Sequence, residues 1–321
     1  MSEKRICVIG AGNWGKNHIN TLYKLGALGG IVESDQTHAK EIRMEYPDIE
    51  FFTNVDSAME NNFDGFTVAT PAETHFHIGR KLLEASYPVL IEKPLALNSI
   101  DAEKLVKISE MNNVSLMVGH LLLFHPAIQK IKELITADRI GNLQYIYSNR
   151  LNLGTVRAEE NVFWSFAPHD ISIFQYFLEC EPEFVSSKGA AFLQIGIYDT
   201  TMTSLSYPEN IHGHIFVSWL HPFKEHRLVV VGDKGMIRFE DSLEHKPLKV
   251  YEKGIDWIKG IPVNRNGPSE LIQYETDLPL KVELNYFINH LDQRPKISNG
   301  QNGLEVVKIL EDATNSMLGK V

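Results

Sequence analysis

The chain has 321 residues, of which 43% are hydrophobic, and its 41 acidic and 31 basic side chains give a formal net charge of −10. This length favours two domains, and the acidity, without any Lys/Arg-rich run, argues against nucleic-acid binding. The longest apolar stretch, residues 114–124, is too short to span a bilayer, and no signal-peptide pattern precedes the first predicted strand. We therefore expect a cytoplasmic protein that binds neither nucleic acid nor membranes.

A buried strand is predicted at residues 6–9, and it leads directly into the glycine motif GAGNWG at residues 10–15, which opens an amphipathic helix. A strand, a tight glycine turn and a helix in this order are typical of a dinucleotide-binding site. The first glycine permits the turn, the second lets a pyrophosphate approach the backbone, and the third lets helix and strand pack closely. The predicted cofactor contacts in this motif are Gly10, Gly12, Asn13, Trp14 and Gly15.

The second predicted strand, residues 28–32, ends at Glu33. A carboxylate at this position can accept hydrogen bonds from the ribose hydroxyls of the cofactor and repels a 2′-phosphate, which favours NAD over NADP. The alternative is a solvated loop carboxylate that contacts no ligand. We predict NAD as the cofactor and Glu33 as a contact to its ribose.

Strands and helices alternate through the rest of the first half, which predicts a parallel, doubly wound sheet of the Rossmann type and hence the α/β fold class. The further predicted strands are residues 64–69, 88–91 and 114–118, and the helices are residues 39–46, 73–85 and 99–111. In such sheets the ligand lies beyond the carboxyl ends of the strands. The candidate contacts that follow strand ends are Thr70, Pro71, His75, Glu92, Lys93 and His120. For His75 the alternative is a helix residue that packs on a loop.

Lys93 follows a strand end and precedes Pro94, which restricts it to extended geometry. An ammonium beside a nicotinamide can hydrogen-bond a substrate hydroxyl and stabilise developing alkoxide charge. The alternative is a surface Lys-Pro turn.

The second half begins with a helix at Pro126 and continues as runs of strands with short turns, which predicts an open, mainly antiparallel or mixed sheet. Its predicted strands are residues 144–151, 200–206, 213–219, 227–231, 236–239 and 248–251, and its closing helices are residues 280–291 and 303–317. We predict a Rossmann domain at residues 1–122 and a second α/β domain at residues 123–321, with the last helix able to pack back on the first domain.

Pro168 suits the first turn of a helix, which would place His169 and Asp170 at a helix N-terminus. The positive helix end disfavours imidazolium, so His169 would be the neutral base that proton abstraction needs. The alternative is a capping Asp170 beside a packed His169.

Arg150, Asn152 and Arg157 lie on or just after a predicted strand and could recognise an anion or a sugar, or simply form an exposed strand face. Histidines 212, 214, 221 and 226 have no cysteine partners, and we predict no metal site.

Together, the motifs GAGNWG, ATPAETH and EKPL and the VGH–HP join resemble the glucose-fructose oxidoreductase, inositol dehydrogenase and MocA family over essentially the whole chain. The resemblance implies an N-terminal NAD(P)-binding Rossmann domain and a C-terminal domain whose open sheet holds substrate and builds a homodimer or homotetramer. It also implies that Lys93 is the catalytic lysine and that His169 matches the catalytic histidine of the family.

Two positions depart from the polyol-oxidising members, which often carry Asp where this chain has Ser165 and Ser172. Residues 149–172 look more like the subgroup that oxidises the 3-hydroxyl of UDP-N-acetylhexosamines to a 3-keto sugar for a downstream aminotransferase. The alternatives are a UDP-N-acetylglucosaminuronate 3-dehydrogenase, an inositol or aldose dehydrogenase, and a non-catalytic NAD-binding sensor. The substrate contacts that we expect are Lys93, His120, Arg150, Asn152, Arg157, Asn161, Trp164, His169 and Asp170.

Overall fold

The computed structural model describes residues 4–320, which form two compact units. Among these residues, the first unit takes in residues 4–124 together with Asp277–Lys308, and the second takes in His125–Thr276 together with residues 309–320. The sequence assigned everything after residue 122 to the second domain apart from the returning last helix. The structure differs, because the helix before the last one also belongs to the first unit.

The first unit contains a six-stranded sheet in the order β3-β2-β1-β4-β5-β6, with every adjacent pair parallel. The strands are β1 Ile6–Ile9, β2 Leu28–Val32, β3 Glu50–Phe52, β4 Gly65–Val68, β5 Val89–Glu92 and β6 Leu116–Gly119. The helices are α1 Gly15–Lys24, α2 Gln36–Glu45, α3 Val55–Met59, α4 Ala72–Glu84, α5 Ser99–Met111 and α8 Pro279–Asn289, with a 3-10 turn at Leu121–Phe124. This order confirms the predicted Rossmann sheet.

All four residues of β1, β4, β5 and β6 are buried, because helices cover both faces of a parallel sheet. Apolar runs of this kind are the reason that these strands could be predicted. The sequence missed β3 and α3, which have three and five residues and are too short to show a hydrophobic period.

The second unit contains an eight-stranded sheet in the order β14-β13-β12-β11-β7-β10-β9-β8. The pairing of β7 with β10 is parallel and the other pairings are antiparallel, which confirms the mixed sheet. The strands are β7 Leu143–Leu151, β8 Phe184–Ala190, β9 Thr200–Tyr207, β10 Ile211–Ser218, β11 Glu225–Gly232, β12 Met236–Glu240, β13 Leu248–Ile258 and β14 Ile261–Ile272. The helices are α6 Pro126–Thr136 and α7 Val162–Leu178, and the final helix α9, Gly300–Met317, begins in the first unit.

The sequence missed β8 and β14 and made β13 too short. Beyond Tyr251, no residue of the hairpin of β13 and β14 is buried, and Trp257 near its tip is 71% exposed. A strand without a buried face has no alternation of apolar and polar residues, so the sequence carries no signal for it.

Helix α7 begins at Val162, six positions earlier than a helix with Pro168 as its first residue, because Asn161 caps it. The Asn161 Oδ1 accepts hydrogen bonds from the backbone N–H groups of Phe163 at 3.0 Å and Trp164 at 3.1 Å. Pro168 therefore lies inside the helix. The prediction that His169 and Asp170 stand at a helix N-terminus is wrong, and the helix dipole gives no reason for a neutral His169.

We expect Asn161→Ala to lower the free energy of unfolding by about 1 kcal/mol, since it removes the acceptor for two N–H groups at the start of α7. Asn161→Asp keeps a capping oxygen and should stay close to the wild type. Urea unfolding of the three proteins provides the measurement, and equal stability of the alanine and aspartate variants would contradict the capping role.

Candidate active site

The glycine loop after β1 combines two packed glycines with one open glycine. Gly10 has a φ of +93°, which favours glycine, and a Cβ added at Gly15 would lie 2.0 Å from the carbonyl oxygen of Gly10. A Cβ at Gly12 would meet no described atom within 4 Å. Gly10 and Gly15 are thus required by the turn itself, whereas Gly12 keeps space clear for a ligand that approaches the backbone.

Glu33 is fixed against this loop by two backbone N–H groups. Its Oε2 accepts from Ala11 N at 2.8 Å and its Oε1 accepts from Asp35 N at 2.8 Å. Each carboxylate oxygen retains a second lone pair for a ribose hydroxyl. The open backbone at Gly12, the helix N-terminus at Gly15 and this anchored carboxylate fit an NAD molecule, and these residues would hold its pyrophosphate and ribose.

Glu92, the last residue of β5, is a buried carboxylate that ties three parts of the site together. Its Oε1 accepts from Trp14 Nε1 at 2.6 Å and pairs with His18 Nε2 at 2.8 Å, and its Oε2 accepts from Lys93 N at 3.2 Å. Burial acts to raise the pKa of Glu92, but the hydrogen bonds of His18 and Trp14 and the charge of Lys93 hold that pKa below its ordinary value. The glycine loop, α1 and the predicted catalytic lysine therefore share one anion.

Gly119 pairs with Glu92 across the sheet and leaves room for it. A Cβ on Gly119 would lie 2.8 Å from the carboxyl carbon of Glu92. The next residue, His120, is 1% exposed, and burial lowers its pKa to about 4, so its imidazole is neutral at physiological pH. This burial favours a structural role for His120 over the substrate contact that the sequence predicted.

His75 on α4 bridges the loops that follow β4 and β5. Its Nδ1 lies 2.8 Å from the carbonyl oxygen of Pro94 and its Nε2 lies 2.9 Å from that of Thr70. The Lys93–Pro94 peptide bond is cis. Both ring nitrogens of His75 are thus engaged by the protein, which favours the packing alternative over a direct cofactor contact. Pro71 is exposed at the start of α4.

In the second unit, Arg150 and Asp170 pair with each other. The Arg150 Nε and Nη2 donate to the two carboxylate oxygens of Asp170, both at 2.9 Å, and Ser148 Oγ donates to Asp170 Oδ1 at 2.5 Å. Burial acts to lower the pKa of Arg150, but the charge and hydrogen bonds of Asp170 raise it, so the guanidinium stays charged. A buried, bidentate pair of this kind favours a structural role over the anion and sugar contacts predicted for both residues.

The other predicted substrate contacts of the second unit take different positions. His169 is half-buried in the middle of α7, and its carbonyl oxygen accepts from Ser172 Oγ at 2.9 Å. Trp164 Nε1 donates to Thr314 Oγ1 at 3.0 Å, and Asn161 caps the helix. Arg157 is exposed in the loop before α7 and pairs with Glu160 at 3.1 Å.

Asn152 directly follows β7, and its buried Oδ1 has no hydrogen-bond partner among residues 4–320. Among the predicted contacts of this unit, Asn152 thus offers an acceptor that the described protein leaves unused.

His18 of the first unit was not among the predicted site residues, since a lone histidine on a helix face carries no signal of its partner.

Within residues 4–320, no group of three or more His, Cys, Asp or Glu side chains is arranged to hold a metal ion. Over the same residues, no helix combines the length and the apolar character that crossing a bilayer requires.

Gly12→Ala and Gly15→Ala should separate ligand access from folding. The free energy of unfolding of the Gly12 variant should stay within about 0.5 kcal/mol of the wild type. Its methyl group should overlap with the pyrophosphate and weaken NAD binding at least tenfold, which corresponds to about 1.4 kcal/mol of binding free energy. The Gly15 variant should lose about 1–3 kcal/mol of stability because of overpacking against Gly10. Calorimetry with NAD and urea unfolding test the pair, and unchanged NAD affinity in Gly12→Ala would contradict this placement of the pyrophosphate.

Comparison with known proteins agrees with this geometry. The profile described as "Oxidoreductase family, NAD-binding Rossmann fold" matches residues 4–120, and that of the "GFO/IDH/MocA C-terminal domain" matches residues 128–238. UDP-N-acetylglucosamine 3-dehydrogenase from Acidithiobacillus ferrooxidans is 24% identical over 311 residues, which cover 96% of this chain and 95% of that protein. Inositol 2-dehydrogenase 1 from Saccharopolyspora erythraea is 27% identical over 55% of each chain.

Two solved structures share the fold. The Acidithiobacillus ferrooxidans enzyme GnnA superimposes with a TM-score of 0.86 at 23% identity over 99% of both chains. The WlbA dehydrogenase from Bordetella pertussis, solved with NADH and UDP-GlcNAcA, gives 0.80 at 20% identity over 99% of this chain and 98% of its own. With both family profiles matched and a cofactor loop of the required shape, the chain belongs to the Gfo/Idh/MocA family and is an NAD-dependent oxidoreductase.

Proposed function

We propose that the protein oxidises the 3-hydroxyl of a UDP-N-acetylhexosamine, UDP-GlcNAc, to a 3-keto sugar. The observation that carries this proposal is the match to UDP-N-acetylglucosamine 3-dehydrogenase along almost the full length of both chains. The serines at positions 165 and 172 support it, since they depart from the polyol-oxidising pattern.

The residue roles follow from the site and from the family resemblance. NAD supplies the hydride acceptor when it is bound. Lys93, held beside the ionised Glu92, would donate a hydrogen bond to the hydroxyl oxygen and stabilise the negative charge that develops there. His169 would accept the hydroxyl proton as a general base. Asn152, with its unused buried acceptor, is the substrate contact in the second unit that the geometry supports best.

UDP-N-acetylglucosaminuronate is the second candidate substrate, and a specific observation favours it. WlbA, which shares the fold over 99% of this chain, was solved with UDP-GlcNAcA. The inositol 2-dehydrogenase relative, which matches 55% of the chain, keeps inositol as a third candidate.

A 3-keto sugar is an electrophilic carbonyl that an aminotransferase can convert to a 3-amino sugar, so we propose such an enzyme as a downstream partner. We also propose a homodimer or homotetramer in the cytoplasm, built on the open sheet face of the second unit. That face carries Tyr147 and His214, whose rings stack with centroids 5.0 Å apart and an interplanar angle of 10°.

We expect NADH to form with UDP-GlcNAc when an aminotransferase is present to pull the equilibrium. Formation with the uronate alone would move the assignment to the second candidate, and formation with myo-inositol alone would overturn the nucleotide-sugar proposal. NAD binding without turnover on any of the three substrates would favour the sensor alternative. The measurement is the NADH absorbance of the wild-type protein with each substrate in turn.

Lys93→Ala should lower kcat by about 10²–10³, the cost of removing a hydrogen-bond donor from a developing oxyanion, while NAD affinity changes little. Lys104→Ala, which removes an exposed lysine of α5, is the matched control. A Lys93→Ala variant with near-normal kcat would contradict the catalytic role of the lysine.

A further inference from the structure

Glu283 is a buried acid on α8 that no part of the proposed chemistry uses. Its side chain is 0% exposed, and neither carboxyl oxygen has a hydrogen-bond partner among residues 4–320. An isolated buried carboxylate is very costly, so such a group takes up a proton instead. Burial, together with the negative charge of Glu92, raises the pKa of Glu283 well above its ordinary value.

Three other buried groups belong to the same region of the first unit. Helix α8 packs against α1, which carries His18, and against the 3-10 turn that begins directly after His120. Glu92 is hydrogen-bonded to His18, and its negative charge interacts electrostatically with both His120 and Glu283. His18 on α1, Glu92 on β5, Glu283 on α8 and His120, which lies between β6 and the 3-10 turn, thus form a buried cluster of four titratable side chains. All four are at most 8% exposed.

The cluster has hydrogen-bonding capacity that the described protein does not satisfy. Besides the two oxygens of Glu283, the Nδ1 of His18 and both ring nitrogens of His120 lack partners among residues 4–320. Five such atoms in one buried region indicate a site for internal water, because buried polar groups almost always find a partner. No metal is implied, since the cluster is not arranged as a metal site within the described residues.

We propose that Glu283 is a positioning residue of the cofactor site, which holds a proton near Glu92 so that Glu92 remains the single negative charge of the buried cluster. Internal water supplies the hydrogen bonds of Glu283. The proton matters because two carboxylates in one buried site cannot both ionise without a large penalty. A second anion there would compete for the groups that Glu92 holds, namely Trp14, His18 and Lys93.

The charged surroundings of Glu283 are defined by the elements packed on it. Glu92 is the anion, Lys93 is the cation beside it, and His18 and His120 are the imidazoles. The other titratable side chains of α1, which are all exposed, are Lys16, Tyr23 and Lys24. The 3-10 turn has no titratable side chain. This inference concerns the binding of NAD and does not depend on which sugar is oxidised.

Glu283→Gln keeps the shape and the neutral state of the side chain but removes the carboxyl proton that can dissociate. Below the ordinary glutamate pKa, both the folded and the unfolded wild type are protonated. Between that value and the raised folded pKa, unfolding releases the proton, so the folded-to-unfolded ratio falls by up to about tenfold per pH unit as pH rises. This pH slope should be absent from Glu283→Gln. We also expect NAD affinity of the wild type to weaken at alkaline pH, where Glu283 ionises and adds a second anion to the cluster, and Glu283→Gln should not show this weakening.

Urea unfolding and NAD calorimetry across pH give these two profiles, and infrared spectroscopy at neutral pH reports the proton directly. Glu283→Gln should lose the carbonyl stretch of a protonated carboxyl group. Glu240→Gln, which removes a buried glutamate paired with Arg227 in the second unit, should keep it. If Glu283 served only to pack the core, Glu283→Gln would change the free energy of unfolding equally at every pH.

Superimposable pH profiles of the wild type and Glu283→Gln, or an unchanged infrared band, would overturn the proposal. If Glu283→Gln does not fold, the spectrum of the wild type with isotope-labelled glutamate decides the question. A protonated glutamic acid at neutral pH supports the stored proton, and the absence of such a band overturns it.

Discussion

The first unit depends on one buried carboxylate. Glu92 lies at the end of a fully buried strand, where water does not supply its hydrogen bonds, so hydrogen-bond donors of the protein surround it. Trp14 comes from the glycine loop, His18 from α1, and the N–H of Lys93 from the next residue. Each donor belongs to a different part of the nucleotide site. The burial that makes Glu92 costly is therefore also what couples the cofactor loop to the lysine.

The second unit solves a similar problem with a salt bridge. Asp170 is 1% exposed inside α7, and Arg150 on β7 satisfies both of its oxygens. Moving α7 away from the sheet would leave a buried charge without its partner, which is strongly destabilising. The salt bridge therefore fixes α7 on the sheet. His169, the neighbour of Asp170, is held in place as a consequence. The residues around His169 thus serve to position it more than to contact a ligand.

The sequence predicted those features whose cause is local. The strand at residues 6–9, the glycine motif and Glu33 lie within one contiguous stretch, and the spacing of that stretch carries the nucleotide site. The mixed sheet of the second unit could also be predicted, because strands such as β7 alternate between a buried and a less buried face, as residues 145–149 do.

Features that arise from distant partners could not be read in the same way. Arg150 and Asp170 each look like a ligand contact until the fold brings them together, and Glu283 lies 191 positions from Glu92 in the chain. The wrong helix start predicted from Pro168 has another cause. Its preference for a first turn is real, but the cap at Asn161 begins the helix earlier.

The most direct test of the coupling at Glu92 is NAD calorimetry of Glu92→Gln, with circular dichroism to show that the variant is folded. The charge on Glu92 strengthens its hydrogen bonds to Trp14 and Lys93, and such bonds contribute about 1.5–3 kcal/mol. We therefore expect NAD affinity to fall by at least about tenfold. Glu240→Gln, at a buried carboxylate of the second unit, should bind NAD as the wild type does. A folded Glu92→Gln with wild-type NAD affinity would contradict the central role of this carboxylate.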